Sequence, residues 1–108
     1  IISISSIYIY ICIYVYMYIC IYSVRVVSMP CMERFDRQSD AYKAEVLPST
    51  CTKRVAIEAG ISTLWYKYVG LNGKVIGTDS FGFSAPGDIV MDHFGINTKN
   101  LVETAKSL

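Results

Sequence analysis

From Ile7 to Tyr22 the chain alternates without a break, Ile, Val or Met at odd positions and Tyr or Cys at even ones, with no Gly, Pro or charge. A period of two sends successive side chains to opposite faces of a strand, and β-branched and aromatic residues suit a pleated surface. At about 3.3 Å per residue, however, the run would extend about 50 Å, well beyond the strands of a small domain. Neither face is polar. Length also permits a membrane helix, which needs roughly eighteen or more apolar residues. Against that reading stand the alternation, which a helix would wrap around all its faces, Tyr at every depth, and the lack of a basic flank ahead of the run. A secretory signal fails for want of a positive n-region and a small-residue cleavage site.

A repeated TA dinucleotide read in frame gives alternating ATA and TAT codons, hence Ile-Tyr, and single base changes add Cys, Val and Met. Residues 1–23 are therefore read as a low-complexity, non-native segment, translated repeat DNA without a selected function. High β-propensity without charge is the pattern of a segment that pairs with its own copies, so the run predicts aggregation.

Beyond it the pattern changes. Ser23 to Met29 reads as a short buried strand, Val24, Val26 and Val27 around Arg25, ended by Pro30, which lacks a backbone donor. Met32 to Gln38 offers one charged helical turn. Ser39 caps a further helix through Asp40, Ala41, Tyr42 and Val46 to Leu47, halted by Pro48. Lys53 to Ala59 is a second strand, closed by Gly60. Ser62 or Thr63 opens a short aromatic helix with Trp65, Tyr66 and Tyr68, and Gly70 with Asn72-Gly73 marks the turn after it. Lys74 to Ser80 is a third strand built on Val75 and Ile76. Ser84 as cap, Pro86 in the first turn, Asp88 and Gly95 outline another helix with Ile89, Val90 and Phe94 inward, and Ile96 closes its end. The last helix starts at Asn97 or Thr98 and buries Leu101, Val102, Ala105 and Leu108 on one stripe. Strand, helix, strand, helix, strand predicts an α/β fold, a mostly parallel sheet covered by helices.

A chain of 108 residues holds one small domain at most. Its formal net charge of +1 supplies no basic stripe for nucleic acid and no acidic block for a metal. The average conceals two unlike parts, because every charged side chain falls from Arg25 onward. Cys12, Cys20, Cys31 and Cys51 form no C-x-x-C pair, and the single histidine, His93, is remote from all of them in sequence. That spacing argues against zinc and for reduced, mostly buried thiols in a cytoplasmic protein.

Few residues invite chemistry. Gly82-Phe-Ser-Ala-Pro-Gly87 at a strand-to-helix junction resembles a phosphate cradle, but Asp88 and Ile89 stand where Lys and Ser/Thr should follow, and a carboxylate there repels phosphate. Pro86 replaces the last glycine of a nucleophile elbow. The stretch is read as a turn and helix cap. His93, beside Asp92 near a helix end, has no base or nucleophile partner nearby in sequence and is read as a surface or cap residue. Glu58, at the carboxyl end of a strand, occupies a place where open α/β sheets keep functional groups, yet an ion pair or domain contact fits it better. Trp65 and the tyrosines around it suit a contact surface or a core equally well.

Val24-Arg-Val-Val-Ser-Met-Pro, Phe35-Asp-Arg-Gln, Tyr42 with Val46-Leu-Pro, Arg54-Val-Ala-Ile-Glu-Ala-Gly, Trp65-Tyr-Lys-Tyr-Val-Gly, and Phe81-Gly with Ser84-Ala-Pro resemble, in order and spacing, the C-terminal end of transketolases. The resemblance spans residues 24–108 and stops where that family stops, so a genuine terminus and a broken start are expected. It implies an enzyme that moves two-carbon ketol units between sugar phosphates in the pentose phosphate pathway, as a homodimer, with thiamine diphosphate and Mg2+ or Ca2+. The family's cofactor, metal and most substrate-phosphate ligands lie upstream. No motif here matches them, and no catalytic, cofactor-binding or metal-binding residue is carried over.

The resemblance implies a three-layer α/β/α domain with a mixed five-stranded sheet, of which the last three strands are retained. One absent strand belongs between the first and second retained ones, and the Ile-Tyr run is a candidate to fill that slot by chance. The expected partners are the remainder of a transketolase chain and a second subunit. Phe83 departs from the family, where a smaller or polar residue is usual, and dihydroxyacetone synthases share the domain type. The competing readings are a non-catalytic structural or dimer-contact module, and a small membrane-tethered protein held by residues 1–22.

Overall fold

A computed structural model of the chain describes residues 2–3 and 24–108. Four strands form one sheet in the order β2-β1-β3-β4: β1 is Ile2–Ser3, β2 Arg25–Val26, β3 Arg54–Ile57 and β4 Lys74–Ile76. β3 and β4 are parallel, whereas β1 runs antiparallel to both β2 and β3. The three strands from the 24–108 region therefore point the same way, and only β1 opposes them. The slot between the first and second of these strands is occupied by Ile2–Ser3, which precedes the strict alternation; residues 7–22 lie outside the described residues.

Between the strands come α1 (Met32–Asp36), α2 (Asp40–Val46), a 3-10 turn (Ser62–Trp65) running into α3 (Tyr66–Val69), α4 (Gly87–His93) and α5 (Thr98–Lys106). Local chemistry sets most of their ends. The Ser39 hydroxyl accepts from Tyr42 N at 3.2 Å and caps α2, and Asn97 does the same for α5 through Asn100 N at 2.8 Å. After α4, Gly95 takes φ +69°, and Gly95 N and Ile96 N donate to Asp92 O and Met91 O at 2.9 and 2.8 Å. This is the paired C-terminal closure in which glycine escapes the left-handed penalty.

Buried Leu47, Ala56, Trp65, Tyr68 and Val69 form the core, with Val27, Met32 and Phe35 packed against it. Val55, 0% exposed, and its neighbour Ala56 point to opposite faces of β3, so this strand is covered on both sides, as a parallel-sheet strand should be. Arg54 pins the layers from within. Its guanidinium donates to Tyr68 O at 2.5 Å, Pro48 O at 2.7 Å and Leu47 O at 3.2 Å, neutralising carbonyls at the ends of α2 and α3.

Several expectations need correction. The strand expected over Ser23 to Met29 shrinks to two residues, and Val26 is 54% exposed because β2 stands at the edge of the sheet. The third strand stops at Ile76, and beyond it Thr78 N donates to Gly60 O at 2.8 Å. Ser84 does not cap α4: Pro86, with ψ 141°, is the residue before the helix and no side chain caps it. Ile89 is exposed, and Val90 and Phe94 are only half-buried. The α5 stripe of Leu101, Val102, Ala105 and Leu108 is half-buried as well. Among the described residues no helix is long and apolar enough to cross a membrane.

Candidate functional site

In an open α/β sheet, ligands and contacts gather beyond the carboxyl ends of parallel strands. Here that end is built by residues 58–65 after β3 and 77–87 after β4. Both loops are tied to each other. Glu58 N donates to Ile76 O at 3.0 Å and Thr78 N to Gly60 O at 2.8 Å. Asp79 Oδ1 accepts from Ser62 N at 2.8 Å, capping the 3-10 turn from the other loop. That bond holds the Asp79 carboxyl below its usual range, the backbone donor of Ser62 being the main cause and its side chain the next. Gly77 permits the approach: a β-carbon there would stand 2.8 Å from Gly60 O and 3.2 Å from Ser62 Cβ.

The residues singled out in the sequence do not converge. Glu58 is exposed. His93 is exposed at the end of α4, and its ring meets Phe83 and Phe94 edge-on at 4.9 and 5.1 Å; no acid or nucleophile is placed beside it by these contacts. Gly82 to Gly87 lies at the surface, with Phe83 45% exposed, and the seven-residue α4 behind it carries Asp88 in its first turn, so a phosphate would meet a carboxylate. Cys51 is buried, Cys31 is exposed with Sγ 3.5 Å from Glu33 Oε2, and Cys12 and Cys20 lie outside the described residues. Among the described residues no three of His, Cys, Asp and Glu gather to hold a metal. Trp65 and Tyr68 are core residues, whereas Tyr66 is 52% exposed.

A cleft of about 410 Å³ lies along β4, lined by Tyr66, Lys74, Asp79, Phe94, Asn100 and Thr104 among others. Its polar groups are engaged within the fold: Lys74 Nζ donates to Ser107 Oγ at 2.8 Å and Asn100 Nδ2 to Gly95 O at 2.8 Å. A second polar cluster joins α1 to α3, with Lys67 Nζ 2.6 Å from Asp36 Oδ2 and the Tyr68 hydroxyl donating to Asp36 Oδ1 at 3.1 Å. The Lys67 bond, chiefly, depresses the Asp36 carboxyl, and the Asp36 bond raises Lys67. Desolvation chiefly raises the Tyr68 phenol. These are staples between elements. Neither they nor Arg54 were legible as pairs, because their partners are distant in sequence and only the fold brings them together.

Comparison with known proteins places the chain. The family described as transketolase-like TK C-terminal domain matches residues 20–97. A transketolase of Dictyostelium discoideum is 61% identical over 83 residues, covering 77% of this chain and 13% of that protein. A transketolase of Physarum polycephalum is 60% identical over 84 residues, 78% of this chain and 13% of its own length. Transketolase 2 of Aliivibrio fischeri is 58% identical over 86 residues, again 13% of that protein. Among solved structures, transketolase from Leishmania mexicana superimposes with a TM-score of 0.68 at 38% identity, covering 81% of this chain and 12% of that one.

Proposed function

Given that this chain belongs to the transketolase family, through the C-terminal domain of its members, we propose that it serves as the terminal portion of a ketol-transferring subunit. The carrying observation is a match from residue 20 to residue 97 joined to 61% identity. The chain spans about an eighth of the relatives' length, 13%. The two-carbon transfer between sugar phosphates, the thiamine diphosphate, the divalent cation and the second subunit thus belong to the reading of the whole enzyme. The location in the cytoplasm and the division into residues 1–23, a low-complexity run, and 24–108, the partial domain, belong to the same reading, the family match itself beginning at residue 20.

The described residues do not fit the cofactor. A bound metal diphosphate asks for clustered oxygen ligands and backbone donors free of competing charge; among the described residues no cluster of metal-ligating side chains forms, and Asp88 lies in the first turn of α4, behind the glycines at 82 and 87. No step of ketol transfer is therefore assigned to a residue of this chain. Its residues instead hold a rigid α/β unit: Arg54 locks helix ends, and Asp79 and Gly77 lock the two loops.

The test is a full-length chimera in which residues 24–108 replace the matched segment of the Dictyostelium discoideum relative. Ketol transfer by the chimera, with thiamine diphosphate, magnesium and sugar phosphates, is the expected result, along with none by the 108-residue chain. Turnover by the purified chain alone would defeat the proposal.

A further inference from the structure

Hydrogen bonds anchor the segment after β4 at its two ends and not between them. At its start Asp79 accepts from Ser62 N, and at its end Pro86 O accepts from Val90 N at 3.1 Å, where α4 begins. Among the described residues none from Ser80 to Ala85 takes part in a hydrogen bond, and all six are exposed. Midway along, Phe83 is 45% exposed against 99% for Phe81. Its ring stands 4.9 Å from that of His93 and 6.2 Å from that of Phe94, while His93 and Phe94 lie 5.1 Å apart. Three rings thus close on one another at the carboxyl end of α4, at the spacings where aromatic pairs attract beyond the area they bury. That cluster ties the middle of the segment to the helix.

We propose that Phe83, His93 and Phe94 form a latch whose grip on residues 80–86 is set by the charge of the His93 imidazole, tighter when protonated and looser when neutral. Imidazole is the side chain whose charge changes between pH 5 and 8, and His93 is the single histidine of the chain. Protonation places a full positive charge within 6 Å of two phenyl centroids, the range of cation–π attraction. The Phe94 contact joins chain neighbours and persists whether the segment is on the helix or off it. The Phe83 contact is the one that opens, so the change in grip amounts to one exposed cation–π contact, about two- to fivefold in the latching equilibrium. Little else competes for the imidazole. Residues 80–87 and 94–98 carry no charged side chain. On α4 itself stand Asp88, in the first turn, and Asp92, whose Oδ1 already accepts from Asn97 Nδ2 at 2.7 Å.

Chymotrypsin reads the latch. To cut after Phe81 it must draw residues 80–86 off the helix, and where opening is fast the rate tracks the open population. Cutting after Leu71, 104% exposed in the turn before β4, needs no such opening, so the ratio of the two cuts in one molecule cancels the pH dependence of the protease. In the soluble 108-residue chain the Phe81-to-Leu71 ratio should be about two- to fivefold lower at pH 5.5 than at pH 8. His93→Phe keeps a ring without a charge and should give the same ratio at both values. Phe83→Ala should raise the ratio at pH 5.5 and abolish its pH dependence. Both replaced side chains are exposed, so the core is untouched, and Trp65 fluorescence checks that each variant is folded. A parent ratio equal at the two pH values would overturn the proposal. So would a pH dependence that survives in His93→Phe, or a cut after Phe81 that Phe83→Ala leaves unchanged.

Discussion

Arg54→Met should be the most damaging single substitution in the polar framework. The guanidinium makes three hydrogen bonds to carbonyls, those of Tyr68, Pro48 and Leu47, and each bond from a charged donor contributes about 1.5–3 kcal/mol net. Two effects reduce the sum. The site is only partly buried, so water recovers part of the solvation of the freed carbonyls, and the buried Nε has no hydrogen-bond partner among the described residues, which offsets about 1–3 kcal/mol. A net loss of about 3 kcal/mol remains, large against a total of about 5–15 kcal/mol for a domain. Arg54→Lys keeps the charge but cannot span carbonyls on two helices, so it should lose about half as much. Trp65, the single tryptophan and 6% exposed, reports unfolding by fluorescence in urea. With a slope of about 1 kcal/mol per molar urea, the Arg54→Met midpoint should fall by about 3 M or the folded baseline should vanish. A midpoint within about 0.5 M of the parent would refute the account.

The Asp36–Lys67 staple carries its own pH signature. Because the folded Asp36 carboxyl lies below its ordinary value, its stabilisation is complete above about pH 4 and drains away as pH falls through the depressed value. Lys67, raised, contributes fully below about pH 10 and loses its share as pH climbs; carboxyl and amine titrations followed by NMR check both directions, and Asp36→Asn should erase them together. Gly77→Ala forces a β-carbon to 2.8 Å from Gly60 O, which should destabilise the loop pair by about 1–3 kcal/mol; an unchanged urea midpoint would show that the loops give way freely. Expression of residues 23–108 should yield more soluble protein than the whole chain, because the uncharged alternating run favours self-pairing. Equal soluble yields would dismiss that role for the run.

What could be read from the sequence was mostly local. The caps at Ser39 and Asn97 and the closure at Gly95 with Ile96 depend on residues within a turn of one another, so the pattern of side chains suffices. Strand lengths depend on neighbours, and each of the three expected strands came out shorter. Asp79 reaches Ser62 across 17 residues and Lys67 reaches Asp36 across 31, separations at which no periodicity speaks. Ile89 was expected inside with Val90 and Phe94, but an apolar position calls for a cover without naming it. The motif resemblance succeeded where local reasoning could not, since it compares whole arrangements of residues.

The same distinction explains β1. A strand slot is defined by backbone donors and acceptors on its two flanks, which accept a segment running in either direction and of almost any sequence. Ile2 pairs with both Val26 and Val55, and Ser3 with both Arg25 and Arg54, so two residues from the start of the chain bridge β2 and β3. Only backbone complementarity is required. Among the described residues the buried core is Leu47, Ala56, Trp65, Tyr68 and Val69. A two-residue strand beside the four-residue β3 is thereby held through backbone pairing on both of its flanks, in one register to β2 and one to β3.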